Sequence, residues 1–225
     1  MNTLIHLLDK LIAKKAMKNL YHKHILNRFR NINSNPGKAM PKPKIWPNKP
    51  LAVYISGNGS KNLSKKMDSL VFQAIDNKYN VFVYTLGCIS SNKEVTLSSD
   101  IIPQNLAMQI SDIHKSNGLV VLSFGGQDNT FSPGLNSKVA AKNTVDICKK
   151  YKFDGLDFDL TNICVDIDYL KNYIKQIRID KSHLFITASF KIIGDDGHPI
   201  SFAQNNLLTK RFLEAVKFDA FFIQS

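Results

Sequence analysis

The strongest constraint on the fold is an alternation of short apolar segments with amphipathic segments, which starts at Leu51 and continues to the last residue. Each apolar segment has the length of a strand and is rich in Val, Ile, Leu and Phe on both faces, which is typical of a parallel sheet covered by helices. The segments between them repeat apolar residues at helical spacing, so the chain is predicted to be an α/β protein built from βα units. The predicted strands are 51–55, 81–86, 119–124, 154–161, 184–190 and 218–224, and two of the predicted helices are 137–150 and 166–179.

Three carboxylates mark the fourth predicted strand, which reads DGLDFDLT from Asp154 to Thr161. Strand alternation places Asp157, Asp159 and Thr161 on one face and Phe158 on the other. Carboxylates this close together cannot all stay ionised in a dry interior, so they must share protons or bind other polar groups. The pattern favours a site in which a pKa is shifted, and a hydrogen-bonded ladder of acids without chemistry is the alternative.

These residues resemble the D-x-x-D-x-D-x-E signature of the family 18 glycoside hydrolases, which are chitinases and related endo-N-acetylglucosaminidases. Asp154, Asp157 and Asp159 match its three acids, and Thr161 stands where the family has Glu. A second family motif, S-x-G-G on the preceding strand, matches residues 123–126, which read Ser-Phe-Gly-Gly. Two motifs in the right order make the resemblance specific, and it covers the chain from the first predicted strand onward.

The resemblance also implies which further residues bind substrate. Ser123, Gly125, Gly126 and Gln127 follow one another at the end of the third predicted strand, although a pair of glycines at a strand end often only makes a turn. Gln224 lies at the end of the sixth predicted strand, where the family has Gln or Met before a Tyr that contacts the substrate N-acetyl group. We therefore interpret Gln224 as a substrate-binding residue.

The mechanism implied by the resemblance needs no protein nucleophile, because the substrate's acetamido oxygen attacks the anomeric carbon while the family's Glu protonates the leaving oxygen. Asp159 is implied to orient the acetamido group, Asp157 to share its proton, and Asp154 to support both. Thr161 cannot act as the acid, because a hydroxyl does not titrate near neutral pH. Loss of general acid catalysis typically removes about 10²–10⁴ in rate.

The function that this pattern predicts is a chitinase-like protein that is catalytically inactive. It would bind chitin or another N-acetylglucosamine-containing glycan, or act as an interaction scaffold. Two alternatives stay open. One is an active chitinase or endo-N-acetylglucosaminidase whose acid comes from Asp166 or from a complementing chain, and the other is a delivered or structural protein that works through its basic N-terminal segment.

The number of predicted strands limits the barrel that the resemblance implies. A (β/α)8 TIM barrel takes roughly 200 residues or more, and only residues 51–225 show the alternation. We therefore expect an incomplete barrel of about six βα units, with its first and sixth strands unpaired on their outer sides. Val53, Ile55, Phe221 and Ile223 are predicted to face water there, or a protein partner or second copy at the open barrel edge. A fragment of a longer protein, a second polypeptide that closes the barrel and an open α/β layer are the possible explanations.

The first fifty residues have a different character from the rest. They hold eleven Lys or Arg and a single acid, so they account for ten of the twelve net positive charges. Residues 1–33 are predicted to form a basic amphipathic helix, residues 34–50, with five prolines, a linker, and residues 51–225 the barrel domain. The helix could lie on an anionic membrane surface through residues 1–30, act as a delivery signal, dock on a partner or pack across the barrel.

Other classes of function find little support in the sequence. The barrel domain shows no basic patch with interleaved aromatic residues, so nucleic acid is not an expected partner. The three cysteines, Cys88, Cys148 and Cys164, lack metal-like spacing, and neither a metal nor a cofactor is predicted. No secretory signal or membrane span is recognised, which leaves the cytoplasm or export without a signal peptide. The single Trp, Trp46, falls in the predicted linker, so no tryptophan on a strand is expected beside a sugar.

Overall fold

The computed structural model describes residues 44–56, 63–89, 95–97, 103–125, 136–160, 167–180, 183–191 and 216–224. The predicted helix 1–33 and the first part of the predicted linker lie outside these ranges. Gly126, Gln127, Thr161 and Asp166 lie outside them as well. The described residues belong to one compact unit that starts at Lys44.

The described strands form one sheet, in which six parallel strands follow the order β1-β2-β4-β5-β6-β7. A short strand, β3, pairs antiparallel with the end of β2. The parallel part is curled into a half-barrel of six strands, which confirms the prediction of an incomplete TIM barrel. The strands are β1 (Ala52–Ser56), β2 (Val81–Ile89), β3 (Val95–Leu97), β4 (Leu119–Gly125), β5 (Gly155–Asp159), β6 (Phe185–Lys191) and β7 (Ala220–Gln224).

In the described residues, helices follow β1, β3, β4 and β5 and pack on the outer face of the sheet. They are α1 (Leu63–Asp76), α2 (Pro103–Lys115), α3 (Ser137–Tyr151) and α4 (Ile167–Ile179). The side chain of Asn136 caps α3 by accepting a hydrogen bond of 3.0 Å from the Lys138 N–H. None of these helices has the length and apolar character needed to cross a membrane. Their buried faces include Leu106, Ile110 and Ile113 of α2, Ala140, Thr144 and Cys148 of α3, and Leu170, Tyr173, Ile174 and Ile177 of α4.

The second strand is longer than the sequence pattern predicted. Its apolar run ends at Leu86, but the strand continues to Ile89 and then pairs with β3, which the sequence analysis missed. The register between β2 and β4 shifts between Tyr84 and Gly87. A Cβ atom at position 87 would lie 2.5 Å from the ring of Phe124, so only glycine lets the strand pass this side chain.

The side chains inside the half-barrel change from apolar to polar along the strands. Near the start of the strands, Val81, Val83 and Val121 form a small buried cluster. Towards the strand ends, Ser123 and Asp157 are buried in its place, together with two hydroxyl side chains of β6. Functional groups of barrel proteins lie at the carboxyl ends of the strands, so the polar layer is where a site is expected.

The single tryptophan packs at the opposite, N-terminal end of the strands. Its ring centroid lies 5.3 Å from that of Phe185 and 6.2 Å from that of Phe222. Asn80 also donates a hydrogen bond of 3.0 Å to a backbone carbonyl in the same N-terminal segment. Residues 44–50, which we predicted as the end of a linker, therefore pack against the half-barrel, and Trp46 fills the base of its interior.

The two outer edges of the sheet differ in exposure. On β7, Phe221 is 45% exposed and Ile223 is 66% exposed, as predicted for an open edge. On β1, the prediction was wrong for Ile55, which is only 5% exposed and joins the same hydrophobic cluster as Val71 of α1. Val53 is partly buried against that cluster. The apolar open edge of the described sheet therefore lies on the β7 side.

We expect Trp46→Ala to lower the free energy of unfolding by about 3 kcal/mol, the lower end of the range for a large aromatic side chain. The aromatic contacts with Phe185 and Phe222 are lost in this variant. Urea denaturation of the full chain measures the change. Ile45→Ala is the matched control, because Ile45 is 83% exposed and should change stability little. An equal effect of the two substitutions would show that the segment is not packed through Trp46.

Candidate active site

Adjacent parallel strands bring a carboxylate and several hydroxyl groups into the polar layer. Asp157 of β5 pairs in register with Ser123 of β4 and Thr187 of β6. Paired residues of parallel strands point to the same face, so these three side chains form a row across the interior. In the next row towards the strand ends, Asp159 lies between Gly125 of β4 and a serine of β6.

The carboxylate of Asp157 is fully buried and is satisfied by hydroxyl groups. Ser123 and Ser189 donate to its Oδ2 atom at 2.9 Å and 3.0 Å, and Thr187 donates to Oδ1 at 2.8 Å. The hydroxyl of Tyr54 lies 2.6 Å from Ser189 Oγ. Since the single hydroxyl proton of Ser189 goes to Asp157, Tyr54 donates in this pair. Side chains from β4 and β6 thus bind one residue of β5, and Tyr54 of β1 binds one of these partners.

Burial raises the pKa of Asp157 to about 6, against an ordinary value of 3.8. The hydrogen bonds from Thr187, Ser123 and Ser189 act in the opposite direction, because they stabilise the charged form. The negative charge of Asp159 adds a smaller upward contribution. The predicted pKa shift is therefore found at Asp157, with desolvation rather than the neighbouring acid as its main cause. A carboxyl group of this kind exchanges a proton near neutral pH.

Asp159 is the more accessible of the two acids. It is the last residue of β5 and is only partly buried, whereas Asp157 is fully buried. Its register neighbour Gly125 has a φ of 102°, a backbone conformation that favours glycine. Because glycine has no side chain, the β4 side of Asp159 carries no side chain in that row. The arrangement presents Asp159, backed by Asp157, towards the carboxyl ends of the strands.

Asp154 lies at the other end of the strand and does not join this cluster. Its carboxylate contacts Lys44 Nζ at 2.8 Å, His114 Nε2 at 2.8 Å and the Val120 N–H at 2.8 Å. Burial alone would raise the pKa of Asp154, but these hydrogen bonds outweigh it and lower the pKa below its usual value. Three strand residues, about 10 Å, separate it from Asp157. Asp154 therefore fastens the N-terminal segment, α2 and β4 to the start of β5.

The remaining predicted site residues are placed only in part. Gln224 ends β7, where its backbone pairs with Lys191. Gly126, Gln127 and Thr161 lie outside the described residues. In the part of the chain that the structure describes, no group of three or more His, Cys, Asp or Glu side chains could hold a metal ion.

The sequence analysis missed three hydroxyl groups of the site. Thr187 and Ser189 alternate with apolar residues in β6, which reads FITASFK, and two hydroxyls on one face of a buried strand were a readable signal. Tyr54 lies in β1 and carries no such signal, because it reaches a residue 135 positions away. Its role depends on how the sheet curls, which the local pattern does not contain.

Comparison with protein families gives one match over most of the chain. The family model described as "Glycosyl hydrolases family 18" matches residues 50–221. No curated protein sequence matches the chain.

Solved structures show the same fold at low identity. A GH18 chitinase of Flavobacterium johnsoniae gives a TM-score of 0.52 at 15% identity, over 77% of this chain and 52% of that one. The catalytic domain of a hyperthermophilic chitinase from Pyrococcus furiosus gives a TM-score of 0.57 at 16% identity, and the match covers 77% of this chain and 54% of that one. A fungal endo-β-N-acetylglucosaminidase from family 18 gives a TM-score of 0.54 at 14% identity, and the match covers 79% of this chain and 67% of that one. The chain thus spans about half the length of the two chitinases.

We expect Asp157→Asn to remove a distinct pH dependence of stability. Between pH 3.8 and about 6 the folded protein keeps a proton on Asp157 that the unfolded chain has released, so wild-type stability falls as the pH rises through this range. At about 1.4 kcal/mol per pH unit, the loss is about 3 kcal/mol. The asparagine does not titrate and lacks this loss. Urea unfolding of both proteins from pH 4 to pH 7 measures the difference.

The control for this experiment is Asp146→Asn, at an exposed position of α3. The free energy of unfolding of this control should change with pH in parallel with that of the wild type. Asp154 is present in all three proteins, so its effect on stability in acid does not distinguish them. If Asp157→Asn also runs parallel to the wild type, the buried carboxyl group does not titrate in this range.

Proposed function

This chain belongs to glycosyl hydrolase family 18, and we propose that it binds an N-acetylglucosamine-containing glycan such as chitin without hydrolysing it. The observation that carries the proposal is the pair of acids on β5, in which a fully buried Asp157 lies behind a more accessible Asp159. The motif position of the general acid is held by Thr161. Binding groups are thus retained while the proton donor for cleavage is missing.

The proposed contacts follow from the different burial of the two acids. Asp159, at the end of β5, accepts a hydrogen bond from the acetamido N–H of the sugar. Asp157 has a pKa of about 6 and shares a proton with Asp159. The total charge of the two carboxyl groups can therefore change when the sugar binds. The hydrogen bonds from Ser123, Thr187 and Ser189 fix the orientation of Asp157. This support keeps the acid pair in one geometry before the sugar arrives, which lowers the ordering cost of binding.

Cleavage requires a group that can give a proton to the leaving oxygen, and a threonine hydroxyl does not release one near neutral pH. We propose that Thr161 forms a neutral part of the site instead. The two alternatives predicted from the sequence, an active enzyme with another acid and a protein that works through its basic N-terminal segment, become distinguishable outcomes of the binding and turnover experiments.

The open edge of the half-barrel supports a second part of the proposal. Phe221 and Ile223 of β7 expose apolar surface at this edge, and burying such surface is worth about 25 cal/mol per Å². We propose that further polypeptide covers β7, either from a partner protein or from a second copy of this chain.

We expect the full chain to bind tetra-N-acetylchitotetraose saturably and to release no shorter sugars. Isothermal titration calorimetry measures the binding, and chromatography of the sugars after prolonged incubation measures turnover. Asp159→Asn should weaken binding at least tenfold, because a charge-assisted hydrogen bond is lost in the site. Asp146→Asn removes the same charge from the outer surface of α3 and should change the affinity less than twofold.

Two results would contradict the proposal. Turnover that disappears in Asp166→Asn, but not in Asp146→Asn, would indicate an active enzyme with a substitute acid. Absence of glycan binding by a chain with a cooperative unfolding transition would favour a function carried by the basic segment of residues 1–33.

We also expect Thr161→Glu to leave turnover of a chromogenic chitooligosaccharide undetectable. The substitution restores the acid of the motif, but the 225-residue chain spans about half the length of the chitinases that it matches. The substitution leaves the described sheet with six parallel strands and with no strand paired on the outer side of β7. Wild type and Thr161→Ser serve as the inactive references. A gain of a hundredfold or more over both would show that the half-barrel is competent and that the missing acid alone prevents catalysis.

A further inference from the structure

A cleft lies at the end of the half-barrel opposite the acid pair, between the C-terminal half of α2 and the C-terminal end of α3. Its volume is about 340 Å³. Four basic side chains line it, namely His114, Lys115, Lys150 and Lys152, and no acidic side chain does. The feature is independent of the proposed glycan site, which is built from strand residues at the other end of the sheet.

Two of these lysines have no acidic partner in the part of the chain that the structure describes. Lys150 and Lys152 form no ion pair there, and Asp146, one helical turn before Lys150, does not pair with it. Lys115 is the exception, because its Nζ atom lies 3.2 Å from Asp112 Oδ1. Among the described residues, the cleft therefore holds two ammonium groups, those of Lys150 and Lys152, that no carboxylate neutralises.

The nearest buried carboxylate does not cancel this charge. Asp154 contacts His114 Nε2 at 2.8 Å, but it is also paired with Lys44 Nζ at 2.8 Å. The lysine already balances the negative charge of Asp154. An anion in the cleft would therefore meet a neutral ion pair behind His114 and not an exposed carboxylate.

The two helix ends at the cleft act against an anion, since a helix C-terminus carries roughly half a negative charge. Part of this effect is removed by capping, because the Gly118 N–H binds the Ile113 carbonyl at 2.9 Å and the Phe153 N–H binds the Cys148 carbonyl at 3.0 Å. Two half charges are in any case smaller than the full charges of Lys150 and Lys152. The cleft keeps a positive balance.

We propose that this cleft binds the phosphate group of a phosphorylated small molecule. Lys150 and Lys152 supply ammonium donors, and Ser111 supplies a hydroxyl from the facing helix. Ala107 and Tyr151 line the same cleft and offer an apolar surface for the organic part of the ligand. Lys150 Nζ lies 5.2 Å from the centre of the Tyr151 ring, which keeps the ammonium group beside this surface. The phosphate could belong to a soluble molecule or to a lipid headgroup, and both sources present the same chemistry to these side chains.

The test is calorimetric titration of the full chain with pyrophosphate. We expect saturable binding with one site per chain, at least tenfold weaker in Lys150→Glu/Lys152→Glu. The matched control is Lys138→Glu/Lys142→Glu, which makes the same change of net charge at exposed positions earlier on α3 and should change the affinity less than twofold. Absence of saturable binding, or an equal loss in both double variants, would refute the proposal.

A further variant keeps the test valid if the first double variant does not fold. Ser111→Asp introduces a negative charge from α2 instead, and it should also weaken pyrophosphate binding at least tenfold. Unchanged affinity in this variant, with an unchanged melting curve, would also refute the proposal.

Vesicles separate the two sources of phosphate. Co-sedimentation with phosphatidylcholine vesicles that contain a phosphoinositide, reduced by Lys150→Glu/Lys152→Glu but not by the control, and reversed by pyrophosphate, would assign a lipid headgroup. Pyrophosphate binding without a difference between the variants in co-sedimentation would assign a soluble phosphorylated ligand.

Discussion

The arrangement of the half-barrel depends on the cost of burying one carboxylate. A charged or polar group removed from water without hydrogen bonds costs several kcal/mol, and Asp157 is fully buried in the sheet interior. The cost is offset only because the register of β4, β5 and β6 places Ser123 and Thr187 on either side of it. A slip of one residue in either neighbouring strand would turn these hydroxyls to the outer face. The register of the strands and the curl of the sheet therefore determine whether Asp157 can be buried, and with its burial they determine its pKa.

The two ends of β5 show how the same residue type takes different roles. Asp154 and Asp157 are both largely buried, yet the pKa of Asp154 is lowered and that of Asp157 is raised. The difference comes from the hydrogen-bond partners, since Lys44, His114 and a backbone N–H bind the Asp154 carboxylate, whereas three neutral hydroxyls bind that of Asp157. The first acid stabilises the scaffold as an anion. The second keeps a proton available near the carboxyl ends of the strands.

The local sequence pattern was sufficient for the repeated βα order, for the bounds of α3 and α4 to within a residue, and for the common face of Asp157 and Asp159. These features follow from periodicity, which is set by neighbours in the chain. The local sequence pattern did not predict the position of Trp46. Its proline-rich surroundings resemble a linker, but its ring packs on two strands. The pattern also did not predict the interaction of Asp154 with Lys44, which lies 110 positions away in the sequence. Such contacts arise from the closure of the sheet, which no short window of sequence encodes.

The hydrogen bond between Tyr54 and Ser189 also bears on how the chain folds. It joins β1 to β6 across 135 positions of sequence, and contacts of such separation form late because a long loop must close before they are made. During synthesis, β1, β2 and β4 emerge from the ribosome before the hydroxyls of β6 exist. Asp157 is thus synthesised before two of its three hydrogen-bond partners, and its burial must wait for them. The site is consequently among the last parts of the domain to acquire its native protonation, so the titration of Asp157 should change the unfolding rate with pH and leave the folding rate nearly unchanged.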